Sequence, residues 1–208
     1  MRIITPSAKI QLRFVTPFLE EAIESAGRRC YKSEDRITED SAPRFIEDVC
    51  MKRHHESVME HGSIPVVIIC DRGVSHELVR HRLASFSQES TRYCNYSKAK
   101  FGEEITVIKP CFWDPCSLTY RVWEETCEQA ERAYFTLLNN GATAQEARSV
   151  LPNSLKTEVY MSANPREWRH IFKLRTAKEA HPQMREIMIP LAADFAKLWP
   201  SMFGEWEA

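Results

Sequence analysis

The stretch Arg80-His81-Arg82-Leu83-Ala84-Ser85-Phe86-Ser87-Gln88-Glu89-Ser90-Thr91-Arg92-Tyr93 packs three arginines, one histidine and three serines into fourteen residues. Guanidinium forks match phosphate oxygens two at a time and serine hydroxyls add neutral donors, so the composition suits a phosphorylated ligand lying across a turn. A second reading is purely structural. Arg80 and Arg82 would be cations in the last turn of a helix, favoured by its dipole, with the serines as caps and turn residues. Composition alone leaves both open.

Length and composition bound the rest. With 208 residues, 43% of them hydrophobic, the chain can bury a sizeable core, and no stretch reads as a long linker, so a single domain over 1–208 is expected. A formal net charge of -1 offers no bulk attraction to nucleic acid or to an anionic membrane. An anionic ligand must then be held by locally clustered arginines. Seven cysteines without a Cys-x-x-Cys pair disfavour a disulfide framework and a zinc ribbon, and predict reduced, mostly buried thiols. No signal-like start and no apolar run near ~20 residues is present, so a soluble, cytoplasmic protein is expected.

Outward from the basic stretch, 75–82 reads as a short helix capped by Ser75, with the Arg-His-Arg triplet at its carboxyl end. Successive helical residues point about 100° apart, so Arg80 and Arg82 would serve different groups or different subunits. Upstream, alternation through Ile10, Leu12 and Phe14 predicts a strand over 9–15. Pro17 opens a helix that Gly27 closes, and Thr38, Asp40 and Ser41 start another with Phe45, Ile46, Val49 and Cys50 on one face. Residues 64–70 form a buried strand ending in a turn at Asp71-Arg72-Gly73. Downstream, 93–96 and 105–109 read as a strand pair. A long helix over 118–138 carries Val122, Thr126, Ala130, Ala133, Leu137 and Leu138 toward a core or a subunit interface. Thr143 to Val150 is a short helix, 156–162 a strand, and 165–174 and 183–199 are amphipathic helices. Helices dominate without regular alternation with strands, which makes the class α+β.

The order Arg-His-Arg, two residues, Ser, four residues, Ser, one residue, Arg across 80–92 resembles the signature of flavin-dependent thymidylate synthases. Three further blocks resemble the same family in the same order: His55-Glu56-Ser57-Val58-Met59-Glu60-His61, Glu146 through Pro152, and Asn164-Pro165-Arg166 through Leu174-Arg175. The resemblance implies an antiparallel sheet flanked by helices, a homotetramer with shared active sites, and reductive methylation of dUMP to dTMP. It implies methylenetetrahydrofolate as carbon donor, FAD as hydride carrier and NADPH as reductant, with small-molecule partners rather than nucleic acid or membrane. Carried over by matching position, His55, Ser57, Arg80, His81, Arg82, Gln88, Asn164, Arg166 and His170 resemble flavin contacts. Glu77, Arg80, Gln88, Ser90, Arg92, Arg148 and Arg175 resemble nucleotide contacts. Arg175 is the catalytic candidate, because a guanidinium beside the uracil would stabilise its anionic form and enrich C5 with electrons. Glu77 departs from the family, where many members carry Gln, so a carboxylate there must be paired or use its backbone. Asn164 before Pro165 also reads as an ordinary helix N-cap.

Rival chemistries find less support. His54, His55 and His61 invite a metal site, yet zincin ligands sit at i and i+4 and His55 to His61 is six apart, so no metal is expected. Cys94 beside Arg92 is the candidate nucleophile, against the simpler reading of a buried strand residue. Arg92-Tyr93 and Tyr96-Lys98 only faintly interleave basic and aromatic residues as a nucleic-acid surface would.

Overall fold

The computed structural model describes residues 1–206. Its strands are β1 (Arg2–Ile4), β2 (Ser7–Ile10), β3 (Ile64–Asp71), β4 (Ser85–Gln88), β5 (Thr106–Ile108) and β6 (Lys156–Ala163). Its helices are α1 (Leu19–Tyr31), α2 (Ser41–Phe45), α3 (Arg72–Leu78), α4 (Leu118–Asn139), α5 (Ala144–Ala147), α6 (Pro165–Arg175), α7 (Pro182–Leu198) and α8 (Pro200–Phe203). Helix holds 53% of the chain beside an antiparallel sheet, which bears out the α+β class. The four-stranded sheet runs β2-β3-β6-β4, and β1 pairs with β5 in parallel, Ile3 opposite Val107. Among the described residues no helix is long and apolar enough to cross a membrane.

The chain divides into two compact units, the first made of Met1–Ser7, Ile68–Arg80 and Ser87–Val159, the second of Ala8–Val67, His81–Phe86 and the chain from Tyr160 onward. In the first unit the core gathers Tyr96, Ile105, Val107, Cys127, Tyr134, Ala147 and Leu155. In the second, α6, α7 and α8 interlock aromatic rings: Phe172 lies 5.0 Å from Phe195, and Phe195 lies 5.1 Å from Phe203. Trp168, fully buried among them, donates its indole N–H to the Ile64 carbonyl at 2.8 Å, so the ring's polar edge is satisfied.

Several expected boundaries move, each for a local reason. The strand expected over 9–15 is β2, which ends at Ile10, and Leu12–Phe14 is a single 3₁₀ turn with Leu12 and Phe14 on the surface. Gly27 does not close α1 but sits inside it, where a Cβ would stand 2.4 Å from the Phe45 ring; Lys32, at φ 48°, takes the left-handed cap instead. Helix α2 widens into a π-helix over Ile46–Lys52, and the expected apolar face of Phe45, Ile46, Val49 and Cys50 is buried. Asp71 rather than Ser75 caps α3, its Oδ1 accepting from the Val74 N–H at 2.6 Å. That helix therefore starts earlier and ends at Leu78, so Arg80, His81 and Arg82 leave it and enter a turn.

Residues 93–96 are turn and irregular chain rather than a strand, and β5 finds β1 as its partner. On α4 the buried residues are Tyr120, Cys127 and Tyr134; Leu137 and Leu138 of the expected stripe pack partly buried against the same core, while Val122 and Thr126 are exposed. The larger aromatic side chains outweigh the aliphatic stripe in choosing which face turns inward. Cys30, Cys111 and Cys116 are exposed and Cys94 is half-buried, so the thiols are not mostly buried.

Candidate active site

The expected site residues fall into both units. Glu77, Arg80, Gln88, Ser90, Arg92 and Arg148 belong to the first, and His55, Ser57, His81, Arg82, Asn164, Arg166, His170 and Arg175 to the second.

In the first unit, Arg80 and Arg148 are exposed, and Glu77 is half-buried with its carbonyl accepting from Arg80 N at 3.2 Å. The Arg92 guanidinium lies 5.4 Å above the Tyr93 ring while its Nε donates to Gln145 at 3.2 Å. Ser90 Oγ accepts from the Arg92 backbone N–H at 3.3 Å, which folds this part of the signature into a tight turn. Gln88 is engaged internally: its amide donates to Ser75 Oγ at 2.9 Å and Thr157 Oγ1 at 3.1 Å, leaving its carbonyl for a ligand.

In the second unit, helix α6 organises the site. Asn164 is its N-cap, as one of its two readings had it: Oδ1 accepts from the Glu167 N–H at 2.8 Å, while the amide nitrogen remains a donor for a ligand. A cavity of about 790 Å³ opens along this helix, lined by Asn164, Arg166, Arg169, His170 and Lys173 and rimmed by Glu56 and Glu60. A neighbouring cavity of about 340 Å³ is lined by Tyr31, His55, Ser57, Glu56 and Arg166. Arg166 and Glu56 thus serve both. Arg166 forms ion pairs with Glu60 at 2.6 Å and Glu56 at 3.6 Å, and Tyr31 OH meets His55 Nδ1 at 2.6 Å with the rings stacked. His54 just before is held at φ 58°, a conformation that costs a non-glycine residue energy. Arg169, which sequence reasoning did not single out, pairs with Glu205 at 2.5 Å and stacks 5.2 Å over Trp206.

His81 is the signature residue drawn furthest inward. Its side chain is only 4% exposed, its Nε2 accepts from Arg175 Nε at 3.0 Å, and its Nδ1 faces Glu167 Oε1 at 3.4 Å. Burial, reinforced by the charges of Arg175 and His170, lowers its pKa to about 4, so the ring is neutral at physiological pH. Burial raises the Glu167 carboxyl, against the pull of His170. His81, Glu167 and His170 bring three ligand atoms within 4.8 Å of one another, a grouping that the search at 54–61 overlooked. The guanidinium bonded to the same imidazole opposes a divalent cation there, because it already supplies positive charge.

The family model for thymidylate synthase complementing protein matches residues 12–201. The chain belongs to that family. Relatives called flavin-dependent thymidylate synthase include those of Geobacter sulfurreducens, 31% identical over 95% of this chain and 86% of the relative, and Corynebacterium glutamicum, 28% identical over 98% and 86%. A solved UMP/dUMP methylase, PolB from Streptomyces cacaoi with bound 5-Br dUMP, shares the fold at TM-score 0.79 and 23% identity, covering 98% of this chain and 96% of that one. For the thymidylate synthase family signature, the fold explains its unusual density. Its middle is strand β4, its first half donates His81 to a buried contact, and its second half is the turn at Ser90–Arg92.

Proposed function

We propose that the protein methylates dUMP reductively to dTMP. In the balanced reaction dUMP, methylenetetrahydrofolate, NADPH and a proton give dTMP, tetrahydrofolate and NADP⁺. The observation that carries this reading is the His81–Arg175 hydrogen bond, which ties the family signature to the residue that the resemblance sets against the uracil.

The lining of the two cavities suits a flavin dinucleotide. Their volumes fall in the range of ligand pockets, about 300–1,000 Å³, and His55, Ser57, Asn164, Arg166 and His170 all line one or the other. Basic groups there would balance a pyrophosphate, with Arg80 and Arg82 of the signature adding to them. When bound, the flavin supplies the hydride.

The chain's own residues do the rest. Arg148, Arg92, Ser90 and Arg80 hold the nucleotide's phosphate and sugar, and Gln88 and Glu77 contribute a carbonyl or backbone contact. Arg175 stabilises negative charge on the pyrimidine as C5 attacks the carbon unit, and the C5 proton leaves to solvent. No enzyme nucleophile is required. We further infer a single domain over 1–208 and a homotetramer in which subunits share active sites.

Tritium release from dUMP labelled at C5, dependent on methylenetetrahydrofolate and NADPH, tests the reading together with a flavin absorbance band in the purified or reconstituted protein. A folded protein with neither would overturn it. If sites are shared, dilution releases flavin as the tetramer dissociates, whereas a monomer that holds flavin tightly would remove the shared-site model.

A further inference from the structure

Glu167 has no part in the reaction proposed above, yet it is buried, and its carboxylate faces the imidazole that Arg175 engages. A neutral imidazole carries one proton. Because Nε2 accepts from the Arg175 Nε–H at 3.0 Å, that proton must sit on Nδ1, opposite Glu167. At 3.4 Å this contact is longer than an ordinary hydrogen bond. It therefore acts chiefly as negative charge that favours the Nδ1–H form over the alternative. In the alternative form Nε2–H would point at Arg175 Nε–H, two donors face to face, and the guanidinium would turn away. A guanidinium is planar and rigid, so fixing Nε fixes the plane in which both terminal nitrogens lie.

We propose that Glu167 is a positioning residue that, by holding the His81 tautomer, sets the orientation of the Arg175 guanidinium for the charge-developing step. This rests on the proposed reaction for its catalytic consequence, though not for its structural one. Glu167 also lines the cavity along α6, but the role proposed for it runs through His81. Its influence passes through one ring, and since both Glu167 and His81 are nearly excluded from solvent, water is poorly placed to substitute for the carboxylate.

The test begins with the unaltered protein. Solid-state NMR of ¹⁵N-histidine-labelled protein, with the His81 signal assigned by its loss in His81→Gln, should show His81 protonated on Nδ1 at neutral pH. An Nε2-protonated His81 would overturn the proposal at once. Glu167→Met, similar in length and without charge, should shift His81 toward Nε2–H and lower kcat on the order of 10²-fold, the cost of a small misplacement. KM for dUMP should change little, and Glu167→Asp, which keeps the negative charge, should recover more of the rate than the neutral Glu167→Gln. An unchanged tautomer in Glu167→Met, or a rise in KM with kcat intact, would overturn it. Absence of dUMP turnover in wild type would sink the proposed function, while the tautomer comparison would still decide whether Glu167 governs His81.

Discussion

Arg175 Nε donates to His81 Nε2 at 3.0 Å, so the last residue of α6 is oriented by the middle residue of the Arg-His-Arg triplet. A guanidinium held this way is prepared for charge that appears only during reaction. Arg175→Ala should therefore lower kcat on the order of 10²–10³-fold with a smaller change in KM for dUMP. Arg148→Ala should do the reverse, raising KM about 10–100-fold, because a phosphate is anionic before and during the reaction alike. Steady-state tritium release over a range of dUMP concentrations separates the two. An Arg175→Ala enzyme with normal turnover would refute the pyrimidine assignment.

The buried imidazole also gives stability a pH dependence of known sign. His81 is lowered from 6.5 to about 4, so between those values the unfolded chain binds a proton that the folded one refuses. Stability is then fully present above about pH 6.5 and is lost as pH falls toward about 4. Glu167, raised by burial, titrates in the opposite sense, so wild type must be compared with His81→Gln. Urea midpoints at about pH 8 and about pH 5 should fall more for wild type than for the variant. Equal falls would mean that His81 is not the group responsible.

Asn164 permits a separation of folding from ligand contact. Asn164→Asp keeps the acceptor that caps α6, so stability should hold, while loss of the amide donor should weaken flavin retention. Asn164→Ala should weaken retention and also cost about 0.5–2 kcal/mol in the urea unfolding free energy. If Asp binds flavin as wild type does, the side chain is a cap alone.

Gly27→Ala tests close packing. The new methyl would meet Phe45 at 2.4 Å and Val58 at 3.0 Å, and α1 and Phe45 would have to separate. Overpacking of this kind costs about 1–3 kcal/mol, more than the ~1 kcal/mol that alanine gains over glycine in helix propensity. The expected result is a lowered urea midpoint; a raised one would show that Phe45 yields freely.

These cases also show what the sequence could convey. The helix at 165–174 was legible because Asn-Pro with an acid two residues on is a local start signal, and the observed α6 differs by one residue at its end. Gly27 was misread because local rules treat glycine as a stop, whereas its reason is a ring 18 positions away in sequence, at Phe45. Glu167 was invisible as a site residue because an acid in a first helical turn is already explained by the helix dipole. Only the arrival of His81 from a distant part of the chain gives it a second role. The aromatic face of α4 was missed for a related reason: an aliphatic stripe at the right spacing was present, and nothing local says that Tyr120, Cys127 and Tyr134 win the core.

Helix α6 behaves as a ruler of fixed length. Its start is pinned by Asn164, and Glu167 and Arg175, eight positions apart, must both reach one imidazole. A single residue inserted or deleted between them would swing one past the other by about 100° and shift it by about 1.5 Å. Substitutions along the exposed side of this segment leave that spacing intact, but a change in its length does not. Among family members, variation in length should therefore gather in the turns on either side of α6 and spare the interval from Glu167 to Arg175.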